Sequence, residues 1–387
     1  MEDEAGSRVW RWMPQVVMVW VSLLLVSGCL AAAGDPTATL TVTPTATVKA
    51  TATASTTAPG AAPDAATATA SPTLTPGPTL PPLPPAQIER HPAPDNWQRG
   101  TMVTTPRYHP ADTEANWQMD LRAYDLSMLD LSASYEDLLF ADFDDRTVWP
   151  ATNRMPAGFD WQEIMALGKN PGLGVRDLHA RGITGRGVSI AIIDQPLLVD
   201  HQEYADRIRL YEEIAIAPGM PAQMHGAAVT SIAAGATVGV APDAQVFYIA
   251  APTTVRDPET GSRTYDFSFY AAALARILEI NADLPEAARI RVVAMQVGWR
   301  KGRQGYDAIT AAVQEAKAAG MLVVCSCIED ETVHGFKFHG LGRHPLADPD
   351  AFDAYEPGLF WAAELPDAGM TDRLLVPMDA RTTASPL

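Results

Sequence analysis

Two side chains in this sequence have the type and setting that acid–base chemistry needs. Asp194 closes an apolar, β-branched run, Val188 to Ile193, which Gly185 and Gly187 precede. That is the pattern of a strand buried on both faces with a carboxylate at its C-terminal end. His225 is followed by Gly226 and a run of small residues, Ala227 to Ala236, which fits a closely packed helix with an imidazole in its first turn. A serine or threonine hydroxyl is too weakly acidic to attack an amide unaided. It needs an imidazole to take its proton, and the imidazole needs a carboxylate to fix its tautomer and stabilise its charged form. Asp194 and His225 would fill those two roles, in the order Asp, then His.

Other chemistry-bearing residues fit blander roles. His334, His339 and His344 recur every five residues among Gly340, Gly342 and Asp348. That spacing matches neither a helix face nor an established zinc motif, so they read as solvated loop histidines and no metal site is expected. Cys325 and Cys327 lie two apart in an apolar run. On one face of a strand they sit too far along the chain to bridge easily, and read as small buried apolar side chains. A metal or redox role is the alternative. With Cys29 as the third cysteine there is no disulfide framework.

The elements that must position Asp194 and His225 alternate in type. Short helical pieces at Trp161–Leu167 and Val175–Ala180 precede the Val188–Ile193 strand. The helix opened by His225 leads through a turn, Gly239 to Ala244, into a second buried strand, Val246–Ala250. Asp266–Ile280 has apolar residues at helical spacing, and Ile290–Val297 is a third strand ended by Gly298. Ile309–Ala319 is helical, Gly320 caps it, and Met321–Ile328 is a fourth strand. Strands alternating with helices predict an α/β domain with a doubly wound parallel sheet, whose functional groups gather beyond the carboxyl ends of the strands. Asp194, Gly298 and Glu329 all fall there.

These motifs, in this order, resemble the subtilases, the subtilisin-like serine proteases. GITGRGVSIAIID matches the family's first motif and maps its catalytic aspartate to Asp194. The family's histidine seven residues further on maps to His201. HGAAVTSIAAG resembles H-G-T-H-V-A-G and maps the catalytic histidine to His225. GVAPDA is the family's turn before the next strand, and VVAMQVG, Val292–Gly298, resembles the strand lining the substrate cleft. The resemblance covers roughly residues 172 to 330 and implies a subtilisin-like fold that hydrolyses polypeptides without a cofactor.

The departures from the family concern the site itself. Gln195-Pro196 follows Asp194 in place of Thr-Gly, and Ala228 replaces the second histidine of the helix motif. Glu329 stands where the family places the asparagine that donates to the oxyanion; an ionised glutamate only accepts hydrogen bonds and would repel that charge. VPMDARTTASPL echoes G-T-S-M-A-S-P, with Thr382 at the serine position and Ser385-Pro386 matching its end. The sequence stops at Leu387, before the long helix which that serine opens in the family. Either the true nucleophile is lost beyond a truncated end, or Thr382 or Ser385 is a degenerate substitute. On both readings the domain is expected to be incomplete and the chain to have little activity.

The rest of the chain bears on location. Arg8 and Arg11 precede an apolar run, Val16–Val26, and V-S-G-C resembles a bacterial lipobox that would place a lipid on Cys29. An uncleaved signal anchor is the alternative reading, and Glu2, Asp3 and Glu4 are unusual before a signal core. Residues 30–90, rich in Thr, Ala and Pro, cannot bury enough apolar surface to fold and read as a disordered stalk. Residues 91–158 read as an accessory or prodomain-like segment. In them Leu121, Leu126 and Leu131, then Leu138, Phe143 and Val148, keep a five-residue beat like that of pentapeptide solenoids. Residues 159–387 are the α/β domain. The expected setting is the bacterial cell envelope, tethered to the cytoplasmic membrane by a lipid anchor. A formal charge of −18 makes nucleic acid an unsuitable partner. Two functions fit: a tethered serine endopeptidase acting on polypeptides, or a surface pseudoprotease that binds peptides without cleaving them.

Overall fold

The computed structural model describes residues 85–96, 98–108, 119–327, 331–357 and 372–386. Cys29, most of the stalk and Glu329 lie outside the described residues.

In chain order, β1 (Gln87–Ile88) is followed by four two-residue strands, β2 (Gly100–Thr101), β3 (Met119–Asp120), β4 (Tyr124–Asp125) and β5 (Ala141–Asp142), with α1 (Tyr135–Leu139) between the last two. β2 pairs with β4, β3 pairs with β5, and Asp125 bridges Val148, all in parallel. The segment is a small parallel coil whose successive turns stack. Leu121, Leu126, Leu131 and Leu138 fill its interior with Met119 and Leu129, and Phe143 packs against them. The five-residue beat therefore marks an inward stripe. Val148 departs from it and is 51% exposed, because its backbone, not its side chain, joins the ladder. Stacked rings join the coil to the next helix, with Trp149 6.2 Å from Trp161.

The remaining elements are α2 (Trp161–Gly168), α3 (Val175–Ala180), β6 (Ser189–Asp194), β7 (Ile208–Glu213) and α4 (Met224–Ala234). Then come β8 (Gln245–Ala250), a hairpin of β9 (Thr254–Arg256) and β10 (Arg263–Tyr265), α5 (Ser268–Asp283), β11 (Ile290–Met295), α6 (Tyr306–Ala318) and β12 (Leu322–Cys325). α7 (Glu331–His334) precedes a three-stranded sheet of β13 (Lys337–Arg343), β14 (Tyr355–Pro357) and β15 (Arg373–Pro377).

The central sheet has the order β1-β7-β8-β6-β11-β12, and every pairing in it is parallel. Parallel strands need crossover connections, and helices supply them on both faces. Alternation along each strand divides the core. Ala191, Ile193, Phe247 and Ile249 face α5 and α6, which contribute Leu274, Ile277, Ile309 and Val313. Ile192, Val246 and Tyr248 face α4, which contributes Ala227 and Ala234. The sheet begins earlier than the composition suggests. Gln87–Ile88 belongs to it, in residues that the sequence assigns to the stalk, because Ile88 packs into the core and Arg90 forms a bidentate pair with Glu213.

Candidate active site

Asp194 ends β6, and β8 lies beside it in register, Asp194 opposite Ala250. Its side chain is buried and its Oδ1 accepts the amide of Gln195 at 2.7 Å. The Gln-Pro turn thus holds the carboxylate with its own backbone. The Gln195 carbonyl in turn accepts the Tyr248 hydroxyl at 2.5 Å, and the Pro196 carbonyl accepts the amide of Gln223, the residue before α4. One turn therefore ties the strand end to the start of the helix.

His225 is the second residue of α4. Its Nδ1 lies 2.8 Å from Asp194 Oδ1 and 2.9 Å from Oδ2. A carboxylate only accepts, so Nδ1 carries the proton in this contact and Nε2 is left as the proton-accepting atom. Burial pulls the imidazole toward its neutral form, but the Asp194 charge and hydrogen bond outweigh it and leave the pKa above its ordinary value. Gly226 makes the approach possible. A Cβ there would sit 2.6 Å from the Tyr248 hydroxyl and 2.9 Å from the Gln195 carbonyl. Burial drives the Tyr248 pKa well up, so its hydroxyl keeps the proton it donates.

The other candidates fall elsewhere. Thr382 donates to the Met165 carbonyl at 2.7 Å, its amide donates to Gly168, and the neighbouring Arg381 reaches the Val238 carbonyl. It sits by the C-terminal end of α4, whereas His225 opens that helix. From His225 to Ala234 is about 14 Å along the axis. Thr382 is thus not beside the imidazole, because the last segment runs antiparallel to α4, with Ala384 held by the Ser231 hydroxyl and Pro386 by the Asp95 amide. Ser385 lies between those two contacts and is half-buried. Among the described residues, no serine or threonine hydroxyl is hydrogen-bonded to His225. His201 stacks on Tyr204 and accepts the Glu203 amide at 3.1 Å.

The histidine series is also corrected. His334 and His339 are buried, 6% and 4% exposed, and only His344 is a surface loop residue. A one-turn helix and β13 carry the first two inward, so their five-residue spacing had no bearing on exposure. Among the described residues, no group of three or more His, Cys, Asp or Glu side chains is arranged to hold a metal ion. Sequence reasoning missed Tyr248 and the contact of Arg122 with Met224, whose Nη1 and Sδ are 3.5 Å apart. Gly226, immediately after His225, was the one signal of a close approach.

Comparison with known proteins places these residues in context. Residues 185–349 match the subtilase family. A curated relative, subtilisin-like protease PopC of Myxococcus xanthus (strain DK1622), is 34% identical over 85 residues, 19% of this chain and 18% of that protein. Among solved structures, the prenylagaramide maturation protease PagA is 14% identical with a TM-score of 0.33, covering 46% of this chain and 62% of the other. A cold adapted subtilisin-like serine proteinase is 21% identical with a TM-score of 0.28, covering 37% and 46%. This chain thus spans under a fifth of the length of PopC. Residues 185–349, with Asp194 and His225 inside that span, are similar to the subtilase family.

Proposed function

We propose that this protein is a serine endopeptidase that cleaves polypeptides, with His225 as general base and Asp194 as the carboxylate that orients it. The observation that carries the reading is the 2.8 Å contact between Asp194 Oδ1 and His225 Nδ1 at the carboxyl end of a parallel sheet. It leaves Nε2 as the basic atom, which is what proton abstraction from a hydroxyl requires. The nucleophile is the unassigned member of the relay. Export and tethering through Cys29 belong to the same proposal and rest on the apolar run before V-S-G-C.

A second reading, a peptide-binding pseudoprotease, is favoured by one observation: the Thr382 hydroxyl is committed to Met165. Casein hydrolysis and fluorophosphonate labelling separate the two. Whatever hydrolysis the chain performs is expected to fall in Asp194→Asn and to be lost in His225→Ala, with Thr382→Ala unchanged. Peptide binding without turnover would establish the second reading. Hydrolysis that survives His225→Ala would overturn the role given to His225. Tethering is read separately, as loss of membrane fractionation in Cys29→Ser.

A further inference from the structure

Two thiols and an imidazole meet outside the Asp194–His225 pair. Cys325 closes β12, and its Sγ lies 3.4 Å from Nε2 of His334 in α7. The same Sγ accepts the amide of Cys327 at 3.3 Å, while Cys327 Sγ accepts the amide of Trp299 at 3.3 Å. Both cysteines are reduced and buried, 3% and 7% exposed. Met295 is in register with both Cys325 and Ile193. The thiols therefore lie two strands, about 10 Å, from the residue before Asp194.

The extended spacing that argues against a bridge ends at Cys325. Alternate residues of a strand are about 6.7 Å apart, at the upper edge of what a disulfide spans. Here β12 has ended and the backbone bends at Ser326, which lays the Cys327 amide over the Cys325 sulfur.

We propose that Cys325 and Cys327 form a thiol–disulfide exchange site whose co-reactant is a low-molecular-weight disulfide, and that closing the bridge releases the Trp299 backbone. His334 Nε2 lies 3.4 Å from the Cys325 thiol and also contacts that residue's own amide at 3.0 Å and carbonyl at 3.1 Å, so it takes the thiol proton once local opening breaks the backbone contacts. The Cys325 thiolate attacks one sulfur of the co-reactant, whose S–S bond breaks; the leaving thiolate takes the proton from His334. Cys327 then attacks Cys325 Sγ and expels the second thiol, which leaves with the Cys327 proton. Two protein thiols are oxidised and one small disulfide is reduced to two thiols. The bridge draws Cys327 Sγ away from the Trp299 amide, next to Gly298 at the end of the segment Val292–Gly298. Because both sulfurs are buried, exchange needs local opening and runs slower than at an exposed thiol.

The test incubates the full chain with oxidised glutathione, then alkylates, digests and weighs the peptide carrying residues 325 and 327. The wild type is expected to yield that peptide unalkylated and lighter by two hydrogens, reverting with dithiothreitol. Cys327→Ser is expected to trap glutathione on Cys325, and His334→Gln to slow the exchange by about ten-fold. Hydrogen exchange at the Trp299 amide is expected to quicken by about five-fold in the bridged protein. Both cysteines remaining alkylatable in the folded wild type would overturn the proposal without recourse to the variants. So would bridging that leaves the Trp299 amide unchanged. No readout depends on hydrolysis, so this inference and the peptidase reading fail independently.

Discussion

At the residue scale, the pair is built by competition between burial and charge. His225 binds its proton more tightly in the folded chain than in the unfolded one, because Asp194 outweighs desolvation. The stabilisation is therefore complete below the ordinary imidazole pKa and is lost as pH rises through the higher folded value. Urea midpoints of the wild type are expected to fall across that window, and to fall less in His225→Ala, where His201, whose pKa burial lowers, and the raised Asp142 and Asp379 carboxyls still titrate. An equal fall in both proteins would place the titrating group elsewhere. Gly226 makes a sharper demand. Gly226→Ala puts a Cβ 2.6 Å from the Tyr248 hydroxyl and 2.9 Å from the Gln195 carbonyl, and is expected to cost about 1–3 kcal/mol in denaturant unfolding. Tyr248→Phe relieves the first clash but also removes the hydroxyl's bond to the Gln195 carbonyl, so Gly226→Ala is expected to cost less in a Tyr248→Phe background than in the wild type. An equal cost in both backgrounds would contradict this packing.

At the scale of elements, β1 and the residues after it form a strap that closes the edge of the sheet. The Arg90 guanidinium is bidentate on Glu213, the Glu89 amide donates to Tyr211, and the Ala93 carbonyl accepts the amide of Ala222 just before α4. The Arg90–Glu213 pair is partly buried, at 27% and 12% side-chain exposure. Arg90→Ala is expected to lower stability by about 1 kcal/mol and to speed hydrogen exchange in β7; unchanged exchange there would show that the strap does not hold the edge. The strap was not legible in the sequence. Two strand residues after a long Thr/Ala/Pro stretch carry no periodicity, and only the edge of β7 gives Ile88 a place to pack. The central strands were legible because runs such as Ile190–Ile193 are apolar on both faces, although Val188, read as the start of that strand, precedes it and is exposed. The bend at Ser326 and the inward turn of His334 are tertiary choices that residue spacing does not encode.

At the scale of the whole molecule, segments outside residues 185–349 converge on the first turn of α4. Arg122 of the coil rests on Met224, Ala93 binds Ala222, and the last segment runs along the helix to reach Asp95. The coil, the strap and the sheet are accordingly expected to unfold in one transition, with near-ultraviolet circular dichroism and hydrogen exchange in residues 119–155 sharing a midpoint. Two separated transitions would mean that the coil is an independent unit. This convergence serves one centre, the Asp194–His225 pair, and the most direct test reads the imidazole itself. An NMR pH titration of His225 in the wild type is expected to give a midpoint above the ordinary 6.5. In Asp194→Asn, where burial acts without the opposing charge, the midpoint is expected to fall below that value. An identical midpoint in both proteins would contradict the pairing on which the proposed relay rests.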